Sequence, residues 1–283
     1  MIWFPYRALQ DAGLSGALST LATYFVALCF GLVCFRKSVP NALTHWKVLL
    51  WIALTAGWTN LAFVLAVING TVVRVTLLFY LAPLWTVIFS RILLKEKLSI
   101  TGVFVIALSL VGALTMLWRP GDEFPLPQSV AEWLGLSAGL TFALSNVLAR
   151  KAHHLSVPHK SLAVWLGVTL VALTLSLIKI DEFRAFSSLP TSMWVLMTLL
   201  SMLILVVSVA VQYGLSNTPS NQAIVIFLFE LVVVAVSSHL LAAEKVTWQE
   251  WIGSAMIISA SLFSTKMQAS DDDQHVGKLK EET

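Results

Sequence analysis

From residue 13 onward the chain alternates long apolar runs with short polar breaks. Nine runs stand out, over residues 13–35, 48–68, 72–94, 99–118, 133–149, 161–178, 193–214, 221–241 and 251–263, the last extended at both ends. A helix needs about 20 mostly apolar residues to cross a bilayer. Spanning strands would be about 10 residues long with alternating polarity. These long stretches of Leu, Val and Ala fit the first description. The breaks carry turn or charge signals: Pro40-Asn41, Asn69-Gly70, Lys95-Glu96-Lys97, Arg119-Pro120-Gly121, Pro158, Leu189-Pro190, Thr218-Pro219 and Glu244-Lys245. The pattern predicts an all-α, polytopic membrane helix bundle of about nine transmembrane helices. The last stretch, 267–283, holds Asp271-Asp272-Asp273, Lys278 and Lys280 and is predicted to be a disordered tail.

Composition sharpens this picture. Of 283 residues 58% are apolar and 12% charged, and the mean hydropathy is +0.83. Soluble domains carry about twice that share of charge, so too little is present to cover a water-facing surface. A disordered chain is excluded by the same figures. The net charge of +3 is spread over loops and does not form one basic face, which argues against nucleic acid. Eleven Trp suit the membrane–water boundary. Cys29 and Cys34 lie in or at the edge of the first run, where packing thiols are expected and no disulfide framework. No cleavable signal is visible at the start of the chain.

Lys and Arg set the orientation. One side receives Arg36, Lys37, Lys47, Arg91, Lys95, Lys97, Arg150, Lys151, Lys160, Lys266, Lys278 and Lys280. The other receives Arg7, Arg74, Arg119, Lys179, Arg184 and Lys245. This bias of twelve to six predicts a cytoplasmic C-terminus.

The chain is also self-similar. The segment from Phe79 to Ser99 aligns with that from Phe227 to Thr247 at a constant offset of 148 residues, matching Phe79/Phe227, Ser90/Ser238, Leu93/Leu241, Glu96/Glu244 and Lys97/Lys245. The third run points toward the cytoplasm and its counterpart, the eighth, away from it, so the two halves are inverted. Inverted repeats are common in secondary transporters. The run at 133–149 is left without a partner in the first half.

These residues resemble the EamA-type permeases of the drug/metabolite transporter superfamily, bacterial inner-membrane proteins with ten helices in two five-helix repeats. In that family the fourth and ninth helices commonly read as an apolar run, a Pro, further apolar residues and a closing Glu. Leu81-Ala82-Pro83-Leu84 with Glu96 matches this form. Phe229-Glu230-Leu231-Val232 with Glu244 departs from it, because Leu231 stands where the family has Pro. The resemblance implies a first repeat over 1–120 lacking its first helix, a second over 129–266, and a multi-pass place in the bacterial inner membrane. A natural nine-helix variant is the other reading of the missing helix.

Polar residues inside the runs are the candidates for chemistry. Glu230 lies nine residues into its run, about 13 Å along a helix. A charge at the bilayer centre costs on the order of 2.5–3.5 kcal/mol, so such acids face a cavity or a partner. A substrate-cation contact, a proton-coupling carboxylate and a protonated structural tie all satisfy that. Tyr80 shares a helical face with Thr76 and Pro83 and is a candidate cavity residue, unless Pro83 only kinks the helix. Asn60, Asn146, Gln212 and Gln222 are further candidates, because buried amides need partners, and Trp58 is another, on one stripe with Trp51 and Thr55. Arg74, in the first turn of the third run, suits either capture of a substrate carboxylate or snorkelling to headgroups. His153, His154 and His159 fit no metal spacing. No P-loop, dinucleotide turn or Ser/His/Asp set is present, so no enzyme, no cofactor and no metal are expected.

The resulting expectation is a secondary transporter, commonly an exporter, of small metabolites or amino acids, working by alternating access with proton coupling through Glu230. Its partners would be a small-molecule solute and the lipid bilayer, with a homodimer left open. A non-transport scaffold or sensor, or an inactive relic, is the alternative.

Overall fold

Each apolar run folds as a helix because a backbone in an apolar solvent must satisfy its own hydrogen bonds. The computed structural model describes residues 3–36, 45–96, 98–117, 126–178, 180–242 and 247–281. Its helices are α1 (Trp3–Asp11), α2 (Gly16–Cys34), α3 (Trp46–Asn69), α4 (Val72–Phe79), α5 (Ala82–Leu93), α6 (Ile100–Leu117), α7 (Val130–Lys151), α8 (Val157–Ile178), α9 (Thr191–Asn217), α10 (Ser220–Ala242) and α11 (Trp248–Glu281). A 3₁₀ segment, Ile180–Ser188, joins α8 to α9. Among the described residues no strand occurs, and the chain is a polytopic helical bundle. Among the described residues six segments are long and apolar enough to cross a membrane: α2, α3, α4 with α5, α6, α8 and α9. α7 carries Glu132, Arg150 and Lys151, all in its first and last turns.

Local chemistry sets several ends. Ser15 caps α2 by accepting from the Leu18 N–H at 3.3 Å. Gly13 turns the chain out of α1 at φ +97°, a left-handed conformation that suits glycine. At α11, Thr247 and Glu250 form a reciprocal capping box, with N–H to Oε2 at 2.7 Å and the return bond at 3.3 Å. The third run breaks into α4 and α5 at Tyr80-Leu81, with Pro83 in the first turn of α5. Proline is tolerated there because its missing N–H has no intrahelical partner at that position.

Helix packing is close because small residues line the contacts. α3 packs on α7 and α8, α2 on α8, α6 on α11, and α4 and α5 on α7. At the α3–α8 crossing, a Cβ on Gly167 would lie 2.0 Å from the Ala53 carbonyl oxygen, and one on Gly57 would lie 2.7 Å from that of Gly167. Backbone meets backbone at this crossing. Gly112 and Gly253 do the same for α6 and α11. The largest cluster joins α2, α3 and α8 around the fully buried Trp165, Ile52 and Leu18. Large apolar side chains such as Phe104, Leu199, Val206 and Leu262 point outward, as a lipid-facing surface requires.

Some of this departs from expectation. α1 lies outside the nine runs. It is held by the Tyr6 hydroxyl at 3.0 Å from Thr23 Oγ1 and by Arg7 Nη2 donating at 3.0 Å to the Val67 carbonyl. Burial pushes the Tyr6 phenol up to about 12, so it stays protonated. The stretch predicted to be disordered instead continues α11 as helix through Glu281. The signals at Pro40-Asn41, Lys97, Arg119-Pro120-Gly121 and Glu244-Lys245 lie outside the described residues.

Candidate functional site

The break between α4 and α5 places Tyr80 opposite α10. Its hydroxyl donates to Glu230 Oε2 at 3.4 Å. These are the two candidates that the structure joins directly. Glu230 was expected to be enclosed, but its carboxylate is exposed. Its direction follows from α10 geometry. Ala223, Ile226 and Phe227 line a cavity of about 260 Å³ together with Ala210, Val211, Gly214, Leu215 and Thr218 of α9 and its end. Glu230 stands seven, four and three residues beyond those α10 positions, on the same helical face. It therefore shares a helical face with the α10 part of the cavity lining, while its carboxylate meets Tyr80.

A second polar group lies where α7 and α9 end and α8 begins. Arg150 Nη1 donates to the Ser216 carbonyl at 2.6 Å. Lys160, fully buried, donates to the Ala149 carbonyl at 3.4 Å and makes a short bond to Ser216 Oγ. Ser216 Oγ in turn donates to the Gln212 carbonyl at 2.6 Å. Asn146 and Gln212 each lie four residues before Arg150 and Ser216, so they occupy one level, a turn deeper in the bundle. Both are buried, and neither Asn146 Nδ2 nor Gln212 Oε1 has a partner.

The remaining candidates are dispersed. Arg74 is bound to a carboxylate of this chain. Its Nε lies 3.0 Å from Glu132 Oε1, and its Nη2 donates to Oε2 at 3.3 Å. Glu132 also accepts from the Gln128 N–H at 2.9 Å, so this tie fastens the start of α7 to the start of α4. Asn60 accepts from the Tyr24 hydroxyl at 2.6 Å and donates to the Ala56 carbonyl at 2.8 Å, joining α2 to α3. Trp58 is 41% exposed, and its Nε1 donates to Ser137 of α7 at 3.2 Å. Beside it, Thr59 and Thr141 meet at 2.8 Å. Gln222 is half-buried in the first turn of α10, next to Asn221, which accepts from Ser90 Oγ at 3.2 Å and donates to Glu96 at 3.4 Å.

From the sequence, Arg150 and Lys160 belong to the break between the fifth and sixth apolar runs. One signal pointed the other way. Pro158 marks the first turn of α8, which puts Lys160 inside the helix, four and seven residues before Val164 and Gly167 on its packed face. Among the described residues no group of His, Cys, Asp and Glu is arranged to hold a metal.

Comparison with known proteins gives three findings. The EamA-like transporter family matches residues 7–118 and 129–266. The chain is 30% identical over 113 residues to a Pseudomonas aeruginosa protein named "Uncharacterized transporter PA0485", a stretch covering 40% of this chain and about a third (35%) of that protein. A solved crystal structure superposes with a TM-score of 0.67 over 93% of this chain and 94% of its own, at 15% identity, which is a likeness of fold.

Proposed function

The chain belongs to the EamA-like transporter family, and from that premise we propose that it is a secondary transporter exporting small metabolites or amino acids by alternating access. The cleft between α9 and α10 is the solute path, and Glu230 is the coupling carboxylate. The observation that carries this reading is the Tyr80–Glu230 pair. It sets the carboxylate beside a broken helix and on the cavity-lining face of α10. Broken helices form the binding sites of many carriers because their freed backbone groups and termini serve solute and ion. A carboxylate that gains and loses a proton there links proton movement to solute movement. The inverted register of the two halves supplies the two related ends that alternating access requires. The charge bias supports a cytoplasmic C-terminus in the bacterial inner membrane.

The test is flux in proteoliposomes driven by a pH gradient, scanned over amino acids and small metabolites. Glu230→Gln keeps size, shape and one acceptor oxygen while removing the charge. It is expected to abolish gradient-driven accumulation and to retain the wild-type elution profile and melting temperature. Accumulation at the wild-type rate in the folded variant defeats the proposal.

A further inference from the structure

Two cations share one end of the bundle, and neither meets a carboxylate among the described residues. Lys160 is fully buried and Arg150 half-buried, and both donate only to carbonyl and hydroxyl oxygens of Ala149 and Ser216. Those carbonyls belong to the last turns of α7 and α9. A helix C-terminus carries about half a negative charge. Two such ends offset about one of the two cationic charges, and one remains. A buried charge left uncompensated is costly, so the arrangement is incomplete as it stands.

The hydrogen-bond balance agrees. An ammonium has three donors and a guanidinium five. Lys160 uses two in the bonds named above, and Arg150 uses one nitrogen. One turn deeper, the Asn146 side chain is 93% buried, being 7% exposed, and its Nδ2 donates to nothing. The group thus holds a surplus of donors at one end of the bundle. A single residual positive charge selects a monoanion over a phosphate dianion. A planar oxyanion also suits the guanidinium fork, which bonds carboxylates in pairs.

We propose that Arg150, Lys160 and Asn146 form a binding subsite for the carboxylate group of an organic monoanion, at the end of the bundle where α8 begins. For its role in export this rests on the transport reading above. It then places the solute among carboxylates and makes this subsite its entry point from the cytoplasm.

Binding is measurable without transport. The detergent-purified full-length chain is titrated with sodium benzoate and sodium acetate, with phosphate and chloride as comparison anions, at constant ionic strength. The readout is the melting temperature. The carboxylates are expected to raise it saturably, at midpoints at least tenfold below those of phosphate and chloride. Lys160→Met, Arg150→Gln and Asn146→Leu are each expected to raise the benzoate midpoint tenfold or more. Thr198→Ala, at an exposed position of α9 outside both sites, is expected to leave it unchanged. If Lys160→Met does not fold, the other two variants decide. A carboxylate response that does not saturate, that phosphate or chloride reproduces at the same midpoint, or that survives in the folded subsite variants overturns the proposal. Loss of flux in Glu230→Gln alongside intact benzoate binding keeps the two readings separate. Intact flux in Glu230→Gln with subsite-dependent binding removes the coupling role and leaves the subsite standing.

Discussion

Gly167→Ala is the sharpest test of how the bundle is held together. The added Cβ would lie 2.0 Å from the Ala53 carbonyl oxygen, 2.4 Å from its carbon and 2.6 Å from its Cα. Ordinary van der Waals contact begins at 3.4 Å. Along the closest line α3 and α8 must therefore part by about 1.4 Å, because the obstructing atoms are backbone and cannot rotate aside. Parting the helices also disturbs the contact between Gly57 and the Gly167 carbonyl, and it loosens the cluster around Trp165. Overpacking of this kind costs about 1–3 kcal/mol. In a chain of this size that corresponds to a fall in melting temperature of roughly 2–12 °C. The control is Gly214→Ala, whose new Cβ meets nothing within 4 Å. Alanine is the better helix former by about 1 kcal/mol, so that variant is expected to melt at or slightly above the wild-type temperature. Thermal unfolding of both purified variants in one detergent measures the difference. If Gly167→Ala melts with the wild type, the reading of this crossing as direct backbone contact is wrong.

Other consequences are as direct. Tyr80→Phe removes the bond to Glu230 and leaves the ring in place, so flux is expected to fall by about fivefold, the worth of one hydrogen bond of about 1 kcal/mol, with folding unchanged. Asn60→Leu leaves the buried Tyr24 hydroxyl without its acceptor and is expected to destabilise by about 1–3 kcal/mol in denaturation measurements, more than Tyr24→Phe, which removes the hydroxyl itself. For the Arg74–Glu132 tie, a double-mutant cycle with Arg74→Gln and Glu132→Gln is expected to give a coupling energy of about 1.5–3 kcal/mol, typical of a charged hydrogen bond; additive effects would show that the two groups act separately.

The sequence was most informative where burial follows a simple rule. Long apolar runs become helices, and Pro83 marked the place where α4 yields to α5. It was least informative where a residue's surroundings come from distant chain. α1 carries Arg7, Gln10 and Asp11 in nine residues and has no apolar run to announce it, yet Tyr6 and Leu9 are buried by the cluster around α2 and α3. Arg74 was weighed as a solute or headgroup contact because Glu132, 58 residues away, gave no local sign of being its partner. Lys160 looked like a loop cation because lysine seldom sits in a core. Its partners, the Ala149 carbonyl and the Ser216 hydroxyl, come from the last turns of two other helices. Glu230 stood out as an acid inside an apolar run, but its bond with Tyr80 joins residues 150 positions apart, which periodicity does not encode.

At the break between α4 and α5, the neighbour across the gap is Gly139 of α7, where a Cβ would come within 2.5 Å of the Phe79 carbonyl oxygen. At this point the joint bears on bare main chain, and beside it the Phe79 and Phe142 rings pack at 5.2 Å between centroids. Backbone contact and ring pair together fix the spacing of the break from α7. Any side chain larger than hydrogen at position 139 would have to push the joint outward, so the place where the third run breaks is set by a glycine on a different helix.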